Sequence, residues 1–282
     1  MSQIKRFQLV TLLFFFLFVL PIYSNDFKIQ ISSSVKQGEI LSLNLSEPAK
    51  NKKISVLFLE RETPCYLTKE TGWECLIGIP ADAPAGNQSL AILIDGSTQT
   101  LVNIEIVSCP FPMETLTLTQ EKKSLLTQKG RDIEVKIIKE ALRTESKTRS
   151  WDKKFLKPLE GKIESLYGEK RVLDGKPMAG FHRGLDIGAP KGTPIKSIHH
   201  GTVILASEFI EEGNMVMIDH GQGIISAYLH LSKILVAPGQ KVGQGEPVGN
   251  VGSTGISTSP HLHFGAYIHS TPIDPLYLFN FP

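Results

Sequence analysis

The segment His261-Leu262-His263-Phe264 constrains this chain more than any other. Alternation along an extended strand puts His261 and His263 on one face and Leu262 and Phe264 on the other. Two imidazoles then converge on one side of a sheet whose other side packs. Earlier in the chain, His182-Arg183-Gly184-Leu185-Asp186 offers another imidazole and a carboxylate. Zinc favours tetrahedral nitrogen and oxygen ligands, and a catalytic site keeps one of its four positions for water. His182, Asp186 and His263 are candidates for the other three. A second imidazole two residues from a ligand exceeds what structure alone needs, and His230, in Ser226-Ala227-Tyr228-Leu229-His230-Leu231, is a further candidate. The surplus suggests proton transfer.

The same region carries an ordered series of motifs. Ser165-Leu166-Tyr167-Gly168 is followed by His182 to Asp186 and then by Ile187-Gly188-Ala189-Pro190-Lys191-Gly192-Thr193-Pro194. Ile218-Asp219-His220-Gly221, Tyr228-Leu229-His230-Leu231, Val251-Gly252-Ser253-Thr254-Gly255 and His261-Leu262-His263-Phe264-Gly265 complete it. From about Pro158 to Pro275 the chain thus resembles the lysostaphin-like (LytM, M23) family of zinc metallopeptidases, which cut peptide bonds in bacterial cell walls. The resemblance implies that His182, Asp186 and His263 bind Zn2+. It also implies that His261 and His230 are the family's two non-ligand histidines, which act on the water and on the developing oxyanion. One departure is visible: Thr258-Ser259-Pro260 precedes His261 where members often have a glycine before the proline. It bears on the loop and leaves the ligand set intact.

The implied mechanism needs no helical His-Glu-x-x-His glutamate, which the chain lacks. Zinc lowers the pKa of its water from about 15.7 to roughly 7, giving a nucleophile near neutrality. His261 or His230 takes the proton and returns it to the leaving amine, and the partner imidazole stabilises the oxyanion. The sequence leaves open which does which. His199, His200, His220 and His269 read as packing or surface residues. Tyr228, two residues before His230 on an expected strand, reads as core or rim, although alternation would let its hydroxyl share the face of His230.

Glycines at 239, 243, 245, 249, 252 and 255 recur between short Val and Ile runs, a pattern of tight turns between brief strands. No phosphate-cradling loop accompanies them. Residues 1–24 have the order of a secretory signal: Lys5 and Arg6, an apolar run from Phe7 to Leu20, then Pro21 to Ser24. The run is short of the roughly twenty residues that span a bilayer. Cleavage after Ser24 is expected, with an uncleaved anchor as the other outcome. Export suits Cys65 and Cys75, whose disulfide would close a loop-like stretch around Gly72-Trp73 and contribute about 2–3 kcal/mol. With Cys109 three pairings are open, and none has the Cys-x-x-Cys spacing of a zinc site.

Alternation at Phe27, Ile29 and Ile31, at Leu41, Leu43 and Leu45, and at Val102, Ile104 and Ile106 predicts strands. Turn-rich stretches such as Pro80 to Asn87 separate them, which suggests an immunoglobulin-like sandwich. From Gln120 to Lys154, eleven Lys or Arg stand against six Asp or Glu. There Ile133 and Ile137, then Ile138 and Leu142, are spaced as on a helix face. The 282 residues at 41% hydrophobic content allow two cores, and a net charge of +2 does not single out nucleic acid.

The expected chain is all-β: a signal at 1–24, an immunoglobulin-like β domain at 25–108, a basic, partly helical linker at 109–154, and a glycine-rich antiparallel β-sheet metallopeptidase domain at 155–282. The resemblance implies an exported, periplasmic or wall-associated endopeptidase acting on peptidoglycan stem or cross-link peptides. It implies no nucleic-acid partner and no stable membrane span after signal cleavage, and leaves any regulatory protein partner open. The alternative is a non-hydrolytic LytM-like module that binds the wall and activates an amidase. Such modules have lost ligands, whereas the full set stands here. A latent enzyme, its groove covered by the N-terminal domain or linker, is a third reading.

Overall fold

The computed structural model describes residues 19–24, 27–46, 51–68, 72–125, 127–152, 154–173 and 175–281. Most of the expected signal, residues 1–18, lies outside them, as do residues 25 and 26 at the expected cleavage point. Val19–Ser24 forms an edge strand paired antiparallel with Phe27–Ser32.

Period-two patterning in the first third of the chain gives two five-stranded sheets. One runs Val19–Ser24, Phe27–Ser32, Ile40–Ser46, Trp73–Gly78, Tyr66–Leu67; the other runs Ser34–Lys36, Ser97–Val107, Gly86–Ile94, Ile54–Phe58, Arg61–Pro64. Ile29, Leu43, Leu45 and Cys75 from the first sheet meet Val56, Leu90, Ile92 and Ile104 from the second in one core, so the sheets form a sandwich. A Cys65–Cys75 disulfide links them, because Cys65 hydrogen-bonds Ile54 in one sheet while Cys75 pairs with Leu43 in the other. The stretch it spans is not the loop expected: Tyr66 and Leu67 pair with Glu74 and Trp73 as a hairpin. Cys109 is free, its backbone N–H donating to Gln37 Oε1.

The C-terminal region is built on one antiparallel sheet, ordered Lys162–Ser165, Leu185–Gly188, His261–Ile268, Ile224–Leu231, Asn214–Gly221, Gly201–Glu208, Lys241–Val242. On one face Leu262, Phe264, Tyr228, Val216 and Ile218 pack into the main core. The far half of the opposite face carries Met215, Met217, Ile225, Ala227 and Leu229, which cannot remain open to water. Helix Gln128–Leu142 covers it with Ile138, Ala141 and Leu142. The other predicted pair, Ile133 and Ile137, is 53% and 40% exposed, so the helix turns only one of its apolar rows inward.

The linker is fixed to the C-terminal region at several further points. Met113–Leu116 pairs in parallel with Lys170–Leu173, and Lys122 Nζ donates to the carbonyls of Ser253 and Gly255. Buried Glu134 accepts from the backbone N–H groups of Ile210, Glu211 and Glu212. The sandwich docks too: Ile40 and Leu76 enter the C-terminal core, Tyr167 Oη donates to Pro272 O and accepts from Ala81 N, and Arg149 pairs with Glu74 at 3.0 Å.

Burial, with Glu134 and Glu211 close by, pushes the Glu212 carboxyl up from 4.5 to about 7. A raised carboxyl contributes stability that is complete below the unfolded value and is lost as pH rises through the folded one. Glu212→Gln removes this loss: in denaturant titrations its stability relative to wild type should grow between pH 4.5 and 7 and level off near 3 kcal/mol, an order-of-magnitude figure (~1.4 kcal/mol per unit). A constant difference over that range would contradict the assignment.

Candidate metal centre and active site

Strand register builds the centre. Asp186 lies directly opposite His263, and Gly188 opposite His261, where Leu185–Gly188 pairs with His261–Ile268. Opposed residues project to one face, so the carboxylate and both imidazoles emerge together while Leu262 and Phe264 are fully buried behind them. His182 reaches the same point from the preceding loop. Its Nδ1 donates to Leu166 O at 2.8 Å, which fixes the tautomer and leaves Nε2 as a bare lone pair.

That Nε2 lies 3.0 Å from Asp186 Oδ1 and 2.9 Å from His263 Nδ1, and His263 Nδ1 lies 2.8 Å from the same Oδ1. Three acceptor atoms thus form a triangle. A single proton on His263 can satisfy one side of it, but a cation at the centre satisfies all three, so the donor set fits a divalent metal that accepts nitrogen and oxygen. Although burial pushes the Asp186 carboxyl up, the adjacent His182 and His263 imidazoles hold it well below the usual range. The other carboxylate oxygen, Oδ2, accepts from Arg171 Nη2 at 2.8 Å, leaving Oδ1 to face the histidines. Gly184 makes the approach possible: a Cβ there would lie 2.5 Å from Phe264 O and 2.7 Å from His263 Nε2.

His261 and His230 complete the cluster. His261 Nδ1 donates to Ser259 O at 2.8 Å, and its Nε2 lies 3.8 Å from Asp186 Oδ1. The acceptor therefore belongs to the Thr258-Ser259-Pro260 stretch that departs from the family pattern. His230 Nδ1 donates to Thr254 O at 2.9 Å, and its ring lies 5.1 Å from that of His261 and 6.1 Å from that of His263. Burial, then the charges of His263 and His261, push His230 down to about 3, so the ring is neutral.

Alternation alone would send His230 the wrong way. Tyr228 is opposite Phe264 on the core face, where its hydroxyl accepts from Ile198 N and Ser226 Oγ. Residue 230 should follow it there. Between the pairs Asn214↔Leu231 and Val216↔Tyr228 the strand holds one extra residue, and His230 has φ 61°. This bulge with a left-handed residue swings the ring to the site. Tyr228 is therefore core, and shares no face with the histidine it was grouped with. His220, buried and pushed down to about 4, donates its Nδ1–H to His200 O and sets Nε2 2.8 Å from Ser226 Oγ on the packing side, away from the cluster.

Arg171 acquires a positioning contact that the sequence did not mark, whereas Leu166 and Thr254 lie within marked motifs but act through backbone carbonyls that no side-chain pattern singles out. Gly184 carried a readable signal, a glycine between two candidate ligands.

A cleft of about 710 Å³ opens on His182 and His263. Phe181, Met215, Leu229 and Tyr267 line it, with the linker helix as one wall and Arg61, Pro80 and Asp82 of the sandwich at its margin.

A model of Peptidase family M23 matches residues 180–275, a span that contains all five clustered residues. The peptidoglycan DD-endopeptidase ShyA of Vibrio cholerae is 36% identical over 115 residues, 41% of this chain and 27% of that protein. The DD-carboxypeptidase/endopeptidase Mpg of Neisseria meningitidis is 43% identical over 96 residues, 34% of this chain and 22% of that protein. The chain thus spans about a quarter of the length of these relatives. A crystal structure assigned to peptidase M23, from Pseudomonas aeruginosa, superposes with a TM-score of 0.67 at 27% identity, over 86% of this chain and 93% of the other. With the ligand-type triangle lying inside the matched span, residues 180–275 of this chain form a peptidase M23 domain.

Proposed function

We propose that the protein is a zinc-dependent endopeptidase that hydrolyses stem or cross-link peptides of bacterial peptidoglycan. The observation that carries this is the convergence of His182 Nε2, His263 Nδ1 and Asp186 Oδ1 within 3.0 Å of one another, beside two further histidines whose Nδ1 atoms are tied to carbonyls. His182, Asp186 and His263 would hold the metal. Zinc, when bound, supplies the Lewis acidity that brings a water's pKa to about 7.

The chain's own groups supply the rest. With Nδ1 committed, His261 and His230 each present Nε2 to the reacting centre, one to take a proton and pass it to the leaving amine, the other to donate to the developing oxyanion. Arg171 holds Asp186 Oδ2, so the carboxylate keeps one orientation. The names of the relatives ShyA and Mpg support a wall-peptide substrate. Export is supported by the apolar segment before Ser24 and by the Cys65–Cys75 disulfide, which belongs to oxidising compartments. Among the described residues no helix is long and apolar enough to cross a membrane.

On intact peptidoglycan the full chain should convert cross-linked muropeptide dimers to monomers, and a chelator should stop it. No cleavage with zinc bound would leave the wall-binding, amidase-activating alternative. His263→Ala should lose both zinc and activity. His261→Ala should keep its zinc and turn over about 10²–10⁴-fold more slowly; unchanged turnover would refute its role. Gly184→Ala, by displacing the His263 ring, should lower the zinc stoichiometry measured by elemental analysis, whereas full occupancy would show that the close approach is dispensable.

A further inference from the structure

The cleft in front of the metal triangle has an excess of free positive charge. Lys139 lies in the last turn of the linker helix and Arg143 at its C-cap, and Arg183 follows His182; all three line the cleft and are exposed. Among the described residues none of them holds a carboxylate in an ion pair. The other two cations of the cleft are engaged, Arg171 with Asp186 and Arg61 with Thr271 Oγ1. Against them stand Asp82 and Glu212, and Glu212 titrates at about 7, so it carries only part of a charge near neutrality. The helix dipole favours cations at the last turn of a helix, which accounts for Lys139 and Arg143 in part. It does not account for Arg183, which reaches the same cleft from the ligand loop.

Unpaired cations over an apolar floor focus the field in a cleft, and a guanidinium matches a carboxylate with two parallel hydrogen bonds. The volume lies within the range of small-ligand sites. We propose that this cleft is an anion subsite, formed jointly by the linker helix and the loop of His182, that takes a free carboxylate of the wall peptide beside its scissile bond. This rests on the reading of the chain as a wall-peptide hydrolase. The linker is then a specificity element, because two of the three cations stand on it.

The test is equilibrium binding to the full, zinc-loaded chain carrying His261→Ala, in which the peptide stays intact. The probes are an uncross-linked stem tetrapeptide with free carboxylates and the same peptide with them amidated. Amidation should weaken binding about tenfold, as expected for loss of a charge-assisted contact. The double substitution Lys139→Gln, Arg143→Gln should weaken the acid by a similar factor and leave the amide unchanged, which also reports an intact fold. Equal binding of acid and amide, equal weakening of both by the double substitution, or no binding of either would overturn the subsite. Wall cleavage by the otherwise unsubstituted chain separates the two readings. Cleavage without acid selectivity removes the subsite alone, and acid selectivity without cleavage removes the peptidase alone.

Discussion

Everything at the site depends on the antiparallel register that sets Asp186 against His263. Slipping that ladder by one residue, with the His261–Ile268 strand turning over, would put the imidazoles on the face opposite the carboxylate and bring Leu262 and Phe264 out to water. The hydrophobic face therefore enforces the geometry of the candidate metal site, because burial of Leu262 and Phe264 on one side holds the imidazoles on the other. Gly184 then lets the His263 ring lie against the ligand loop, and Leu166 O, Ser259 O and Thr254 O fix three of the four imidazoles through Nδ1. Positioning is thus done by backbone groups of the scaffold, which hold a ring more rigidly than a second side chain would.

What the sequence made legible follows from how local each rule is. Strand alternation is a nearest-neighbour property, so the shared face of His261 and His263 and the buried rows Phe27, Ile29, Ile31 and Leu41, Leu43, Leu45 could be read directly. His230 reached the site against the same rule. Its left-handed φ is imposed where a bulge meets the Ser253–Gly255 loop, and nothing in Tyr228-Leu229-His230 announces it. Only the order of motifs marked that histidine. Arg171 and the role of the Leu166 carbonyl, though not its motif, escaped for a similar reason: an arginine and a backbone carbonyl become positioning groups only once the fold places a metal-ligand candidate beside them.

The linker shows a different limit. Its basic character and four-residue spacing were plain, yet the spacing offered two apolar rows, and only tertiary packing chose Ile138 and Leu142 over Ile133 and Ile137. The choice follows from Glu134, which lies beside the chosen row and caps three backbone N–H groups of the 210–212 turn. A buried carboxylate with several amide partners is expensive to leave unpaired, so it orients the helix more firmly than either apolar pair could.

The docked linker also bears on whether this chain is latent. The helix does two things at once: it buries Met215, Met217, Ile225, Ala227 and Leu229, and it forms one wall of the cleft onto which His182 and His263 open. A fragment beginning at Trp151 would lose both, exposing an apolar sheet face together with the metal centre. Slower hydrolysis by such a fragment would then report a missing wall and an uncovered core, while faster hydrolysis would have to overcome both losses. The sign of the difference between fragment and full chain is for that reason asymmetric evidence. A gain of activity on truncation argues strongly for a cover, whereas a loss argues that the linker belongs to the working site.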